Sequence, residues 1–168
     1  MNIYLIGMMG SGKTTIARNL SKIANKNYID TDSIIELKEN MTINEIFSKL
    51  GESHFRKIES EVLQSISNES IIACGGGIIL KKINREFLKK SGITVYLKTS
   101  IPVLATRLKG QNLRPLIKDK NITNVLIDIL YKREVLYEET ANVQIDTDDK
   151  TIEEITFNLK EKLIIEEN

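Results

Sequence analysis

The sequence predicts an α/β fold, a five-stranded parallel sheet with helices on both faces. Five short apolar runs of strand length fall at residues 3–6, 27–29, 71–74, 94–97 and 143–145. They are rich in the β-branched and aromatic residues that suit a pleated strand. Between them lie longer segments with apolar residues at helical spacing: Ile16, Leu20 and Ile23, then Ile58, Val62 and Ile66, then Ile152, Ile155, Leu159 and Leu163. Strand alternating with helix implies parallel pairing, because a parallel connection must cross the sheet and a helix is the usual crossover. The 168 residues predict one domain over residues 1–168, at about 150 residues per domain. A chain of this length can bury roughly two-thirds of its unfolded surface and needs no staples.

Each element has a local reason. The first strand is uncharged and ends in Gly7, and the helix carrying Ile16 and Leu20 follows it directly. The second strand ends at Asp30-Thr31-Asp32, before a helix predicted over residues 33–38. Phe55-Arg56-Lys57-Ile58-Glu59 lies within the next long helix, and the third strand runs into Gly75-Gly76-Gly77. Residues 110–121, reading GQNLRPLIKDKN, are polar, contain Gly and Pro, and interrupt the helical pattern on both sides. They are expected to form a mobile loop, and residues 166–168 to fray.

Composition removes several classes of function. Net charge is +1, from 24 basic and 23 acidic residues, which gives no electrostatic reason for nucleic acid or anionic lipid as partner. Cys74 is the single cysteine and His54 the single histidine, so an internal disulfide and a Cys/His zinc site are both excluded. Both residues are expected to be structural, and the cysteine usage fits a reducing cytoplasm. The longest uncharged stretches, residues 1–12 and 70–80, fall short of the roughly 18 residues that span a bilayer. Residues 1–12 lack a basic leader and carry the motif described next, so no signal peptide is expected.

Gly7-Met8-Met9-Gly10-Ser11-Gly12-Lys13-Thr14 fits G-x-x-x-x-G-K-[ST] between a strand and a helix. The glycines let main-chain N–H groups converge on phosphate oxygens, and the helix N-terminus adds partial positive charge. Gly10, Ser11, Gly12, Lys13, Thr14 and Thr15 are thus candidate nucleotide-binding residues, with Lys13 at the β and γ phosphates and Thr14 on Mg²⁺. The cradle alone does not separate a kinase from a hydrolase or a switch.

Asp30 and Asp32 follow the second strand, at the edge where open parallel sheets bind ligands. In an extended strand end they point the same way. One could then hold Mg²⁺ through water while the other takes a proton from an acceptor hydroxyl. The alternative is that Asp32 only caps the following helix and Asp30 faces water. Arg56 could contact a ligand or merely pair with Glu52 or Glu59 along its helix. Three successive glycines, Gly75 to Gly77, permit backbone to approach a ligand closely. Arg107, Arg114 and Arg133 could be solvated charges, although Arg114-Pro115 puts an arginine fork on a stiffened loop.

The series GMMGSGKTT, DTD, FRKIE, CGGG, RPLI and then Arg133 with Tyr137 resembles the shikimate kinases over nearly the whole chain. That resemblance implies the P-loop kinase three-layer sandwich with a mobile lid at about residues 110–121 and an acceptor-binding segment at about residues 31–60. It implies ATP-dependent phosphorylation of the 3-hydroxyl of shikimate, on the way to chorismate and the aromatic amino acids, by a cytoplasmic monomer. Asp32, Arg56, Gly76, Gly77 and Arg133 would line the shikimate pocket, with Phe47 and Phe55 as its apolar wall. Asp30 would organise Mg²⁺, Lys13, Asp32 and Arg114 would carry the chemistry, and Arg107 would sit beside the adenine. Many family members have an arginine near residues 147–151, where this chain has Asp148-Asp149-Lys150. Lys150 is the expected substitute, without the planar fork of arginine. Kinases of gluconate or of nucleoside monophosphates share the cradle and lid and stand as alternatives, as does an ATP-binding switch without turnover.

Overall fold

The computed structural model describes residues 1–66, 69–109 and 121–163. Its five strands are β1 (Asn2–Ile6), β2 (Asn27–Asp30), β3 (Ser70–Ala73), β4 (Gly92–Lys98) and β5 (Val143–Asp146). They form one sheet in the order β2-β3-β1-β4-β5 with every pair parallel. The helices are α1 (Lys13–Ile23), α2 (Thr31–Glu39), α3 (Ile43–Lys49), α4 (Gly51–Ser65), α5 (Lys82–Ser91), α6 (Ile101–Leu108), α7 (Ile122–Thr140) and α8 (Ile152–Leu163). A short 3₁₀ turn covers Ile78–Leu80.

Alternation along β1 divides the core into two layers. Ile3 and Leu5 face α1 and α8, packing with Ile16, Leu20, Ile155 and Leu159. Tyr4 and Ile6 face the other way, into a cluster that takes Leu63 from α4, Leu88 from α5, Leu104 from α6 and Tyr137 from α7. All five residues of β1 are buried, and fully burying a side chain such as Leu5 contributes roughly 1.5–3 kcal/mol. A third cluster, with Ile35, Ile46 and Phe55 at its centre, joins α2, α3 and α4.

The sequence prediction needs one adjustment at β2. The helix after it begins at Thr31, two residues earlier than predicted, and Asp30 rather than Asp32 is its N-cap. The Asp30 carboxylate accepts from the backbone N–H of Asp32 and of Ser33, which satisfies two of the donors a helix start leaves open. Most of the loop expected at residues 110–121, with Arg114 in it, lies outside the described residues, as do residues 166–168. The flanking helices end at Leu108 and begin at Ile122.

Candidate active site

The carboxyl ends of the strands gather the sequence motifs. β1 delivers residues 7–12, β2 delivers Asp30, and β3 delivers Gly75 to Gly77. β1 lies between β3 and β4 in the sheet, so the crevice opens where the chain reverses direction across it. A cavity of about 250 Å³ there is lined by Lys13, Thr14, Asp30, Asp32, Gly75 and Gly76, among others. Asp30 and Asp32 thus share one site, though not as two residues of one strand: the first ends β2 and the second lies in the first turn of α2.

The Lys13 ammonium is folded back over the loop, donating to the carbonyls of Gly7 at 2.9 Å and Met8 at 2.7 Å and to Ser11 Oγ at 3.4 Å. Gly12 caps α1 with φ at 91°, in the left-handed region that a side chain disfavours. Thr14 Oγ1 donates to Asp30 Oδ2 at 3.0 Å. Thr31, between the two acids, fixes the other half of the crevice. Its hydroxyl accepts from the Gly75 N–H at 2.9 Å and donates to the Ala73 carbonyl at 3.4 Å.

The glycine run makes room for side chains of the protein itself. A Cβ on Gly75 would sit 2.7 Å from Asp32 Oδ1, and one on Gly77 would collide with the Arg56 guanidinium. The Gly76 carbonyl accepts from Arg133 Nη1 at 3.2 Å and from the Tyr137 hydroxyl. Burial pushes the Tyr137 phenol up to about 12, so it stays a donor. Arg56 and Arg133, 77 residues apart in the chain, therefore meet the same three-residue turn.

Both helical pairings open to Arg56 in the sequence are made. Its Nη1 donates to the two Glu59 oxygens at 2.9 and 2.8 Å, and its Nε and Nη2 donate to Glu52 Oε1 at 3.2 Å each. Arg56 is 8% exposed and Glu59 1%. Burial pushes the Glu59 carboxyl above the usual carboxylate range, against the pull of Arg56. The Phe47 and Phe55 rings pack at a tilt of 36° with centroids 4.7 Å apart. Phe55 is fully buried, while Phe47 is half-buried. Arg133 and Glu52 also border a cavity of about 620 Å³ between α4 and α7.

The shikimate kinase family model matches residues 9–164. The chain belongs to the shikimate kinase family. A shikimate kinase of Bacillus cereus (strain AH187) is 42% identical over 163 residues, 96% of this chain and 98% of that protein. One from Thermodesulfovibrio yellowstonii is 41% identical over 167 residues, 98% of this chain and 94% of that one. The fold also superposes on an Acinetobacter baumannii shikimate kinase solved in complex with shikimate. That match has a TM-score of 0.94 and 38% identity, and covers 97% of this chain and 92% of the other. Membership makes the protein an ATP-using phosphotransferase, and separates it from the gluconate and nucleotide kinases that share its cradle.

Against that family background, the chain places Arg107 and Lys150 in one cavity of about 490 Å³ beside Gly10 to Thr15. Arg107 donates to the carbonyls of Gly10 and Thr147 at 3.5 and 3.3 Å. Lys150 donates to the Asp146 carbonyl at 2.9 Å. Thr31 and Glu59 were not singled out from sequence as site residues. The signal for each was its neighbours: Thr31 lies inside DTD and Glu59 closes FRKIE.

Proposed function

We propose that phosphoryl transfer takes place in the cavity between Lys13, Asp32 and Gly76, with ATP entering from the α1 side and shikimate from the α4 and α7 side. The observation that carries this reading is the meeting of cradle, acid pair and glycine turn around one space of about 250 Å³. Gly10, Ser11, Gly12 and Thr15 offer backbone N–H groups to the phosphates. Lys13 exchanges its loop carbonyls for phosphate oxygens, and Arg107 and Lys150 flank the base.

Asp32 accepts the proton of the 3-hydroxyl as that oxygen attacks the γ phosphorus. Arg56 and Arg133 hold the shikimate carboxylate, a role suited to guanidinium forks. Glu52 is exposed, so it is the Arg56 partner that an incoming carboxylate can displace, while buried Glu59 stays. Gly76 and Gly77 keep the floor of the pocket low, and Phe47, backed by Phe55, gives an apolar side. In this scheme residues 31–60 form the acceptor-binding segment of a single domain that works as a monomer. The role of Arg114, outside the described residues, rests on its place in RPLI.

The Thr14 hydroxyl oxygen, held by Asp30 Oδ2 behind it, fits a hard cation. Among the described residues no three acidic, His or Cys side chains cluster to cage a metal. The pair therefore suits an ion that keeps most of its ligands as water and phosphate, the habit of Mg²⁺. Such an ion supplies neutralisation of phosphate charge. No described helix is long and apolar enough to cross a membrane.

The variant Asp32→Asn tests the assignment. Turnover should fall by about 10²–10⁴, the range for a lost general base, while ADP affinity, read by calorimetry, stays near wild type. An equal loss of ADP affinity would move Asp32 to the nucleotide side.

A further inference from the structure

β2 and α1 face each other as two matched rows. Tyr28 and Asp30, two apart on a strand, point to one face, and Thr14 and Arg18, four apart on a helix, point to one face. Across the gap, Thr14 Oγ1 donates to Asp30 Oδ2 at 3.0 Å, and the Arg18 guanidinium lies 5.2 Å from the Tyr28 ring centroid. The rows are tied to each other as well, because the Tyr28 hydroxyl donates to the same Asp30 Oδ2 at 3.2 Å.

Asp30 is thereby fully engaged. Its Oδ1 accepts two backbone N–H groups at 3.0 and 3.4 Å, and its Oδ2 accepts two hydroxyls. A carboxylate offers about four acceptor sites, so all are in use. The group that Asp30 can present to a cation is the Thr14 oxygen, its proton held on Oδ2 and its lone pairs turned outward. Packing alone asks only for the aromatic ring of Tyr28, which lies against the core of the α1 side. It does not explain a hydroxyl aimed at the metal-side carboxylate.

We propose that Tyr28 is a positioning residue for the metal site, holding Asp30 Oδ2 in the orientation that directs Thr14 at a divalent cation. Arg18 lies over the face of the ring. The proposal rests on the reading of Thr14 and Asp30 as the cation-binding pair, and it assigns Tyr28 no contact with nucleotide or acceptor. Tyr28→Phe keeps the ring and removes the hydroxyl, which donates to Asp30 and also meets the Arg18 side chain.

The test is calorimetric titration of ADP into the intact protein at a series of Mg²⁺ concentrations and without metal, for wild type, Asp30→Asn and Tyr28→Phe. The quantity read is the Mg²⁺ concentration giving half of the metal-dependent gain in ADP affinity, relative to metal-free affinity in the same preparation. Partial unfolding cancels in that ratio, and a role in packing alone does not move it. Tyr28→Phe should raise this midpoint roughly three- to tenfold, the worth of one typical hydrogen bond, with metal-free affinity unchanged. A Tyr28→Phe midpoint equal to or below wild type, beside a raised midpoint in Asp30→Asn, would overturn the role of Tyr28 and leave the metal pair standing. ADP binding indifferent to Mg²⁺ in wild type, or an Asp30→Asn midpoint equal to wild type, would overturn the metal pair and this inference with it.

Discussion

Glu59 grips Arg56 with both carboxylate oxygens on one guanidinium nitrogen, at 2.9 and 2.8 Å, in a site where Glu59 is 1% exposed. This ion pair spans one turn of α4 and points its arginine at Gly77 in the glycine turn. Glu59→Ala leaves a buried arginine with only the exposed Glu52, and should cost about 3 kcal/mol of stability, measured by urea unfolding. A loss below about 0.5 kcal/mol, the usual range for surface changes, would show that the pair is not structural.

The same glutamate gives a pH signature. Burial, opposed by Arg56, raises its folded value above the ordinary 4.5, so the folded protein holds that proton more tightly than the unfolded chain. The stabilisation is fully present below about pH 4.5 and is lost as pH rises through the folded value. Wild type should therefore lose stability relative to Glu59→Gln across that window. Parallel stability curves for the two proteins would contradict the assignment.

The cradle and the fold were legible in the sequence because they rest on local rules. Residues 7–14 announce themselves by glycine spacing between an uncharged strand and a helix, and the five runs became the five strands. The acid pair was found for the wrong geometric reason. Asp30 capping ended β2 sooner than strand alternation assumed, and the helical turn carried Asp32 back to the same cavity. Arg56 stayed ambiguous because i−4 and i+3 partners exist for most helical arginines. Only the tertiary meeting with Gly77, and with Arg133 on Gly76, distinguishes this one. Thr31 and Glu59 were invisible as site residues since their importance lies in what they hold, across 44 residues for the Thr31 bond to Gly75.

The arginine pair should behave as a carboxylate clamp. Arg56→Ala and Arg133→Ala are each expected to weaken shikimate binding by about 1.5–3 kcal/mol, the range for hydrogen bonds to charged groups, with ADP affinity nearly unchanged. An analogue with the carboxylate reduced to an alcohol should lose most of its binding to wild type but little more in either variant. Mutants that still separate acid from alcohol as wild type does would remove the clamp.

On the nucleotide side, Arg107 and Lys150 should not contribute equally. Arg107 reaches Gly10 and Thr147 together, so it ties the phosphate loop to the segment after β5. Lys150 returns to the nearby Asp146 carbonyl. Arg107→Ala should weaken ADP by about 1 kcal/mol or more, and Lys150→Ala by a few tenths, within the range for surface changes. The reverse order in calorimetry would assign the base contact to Lys150.

Acceptor dependence of ADP release tests the central claim most directly. Purified protein with ATP and Mg²⁺ is assayed with shikimate, gluconate or AMP in parallel, and the product is examined by phosphorus NMR. Release that requires shikimate, with one phosphoryl group appearing on its 3-hydroxyl, is the predicted result. Slow release that is the same with and without shikimate, or release driven by gluconate or AMP instead, would contradict the account.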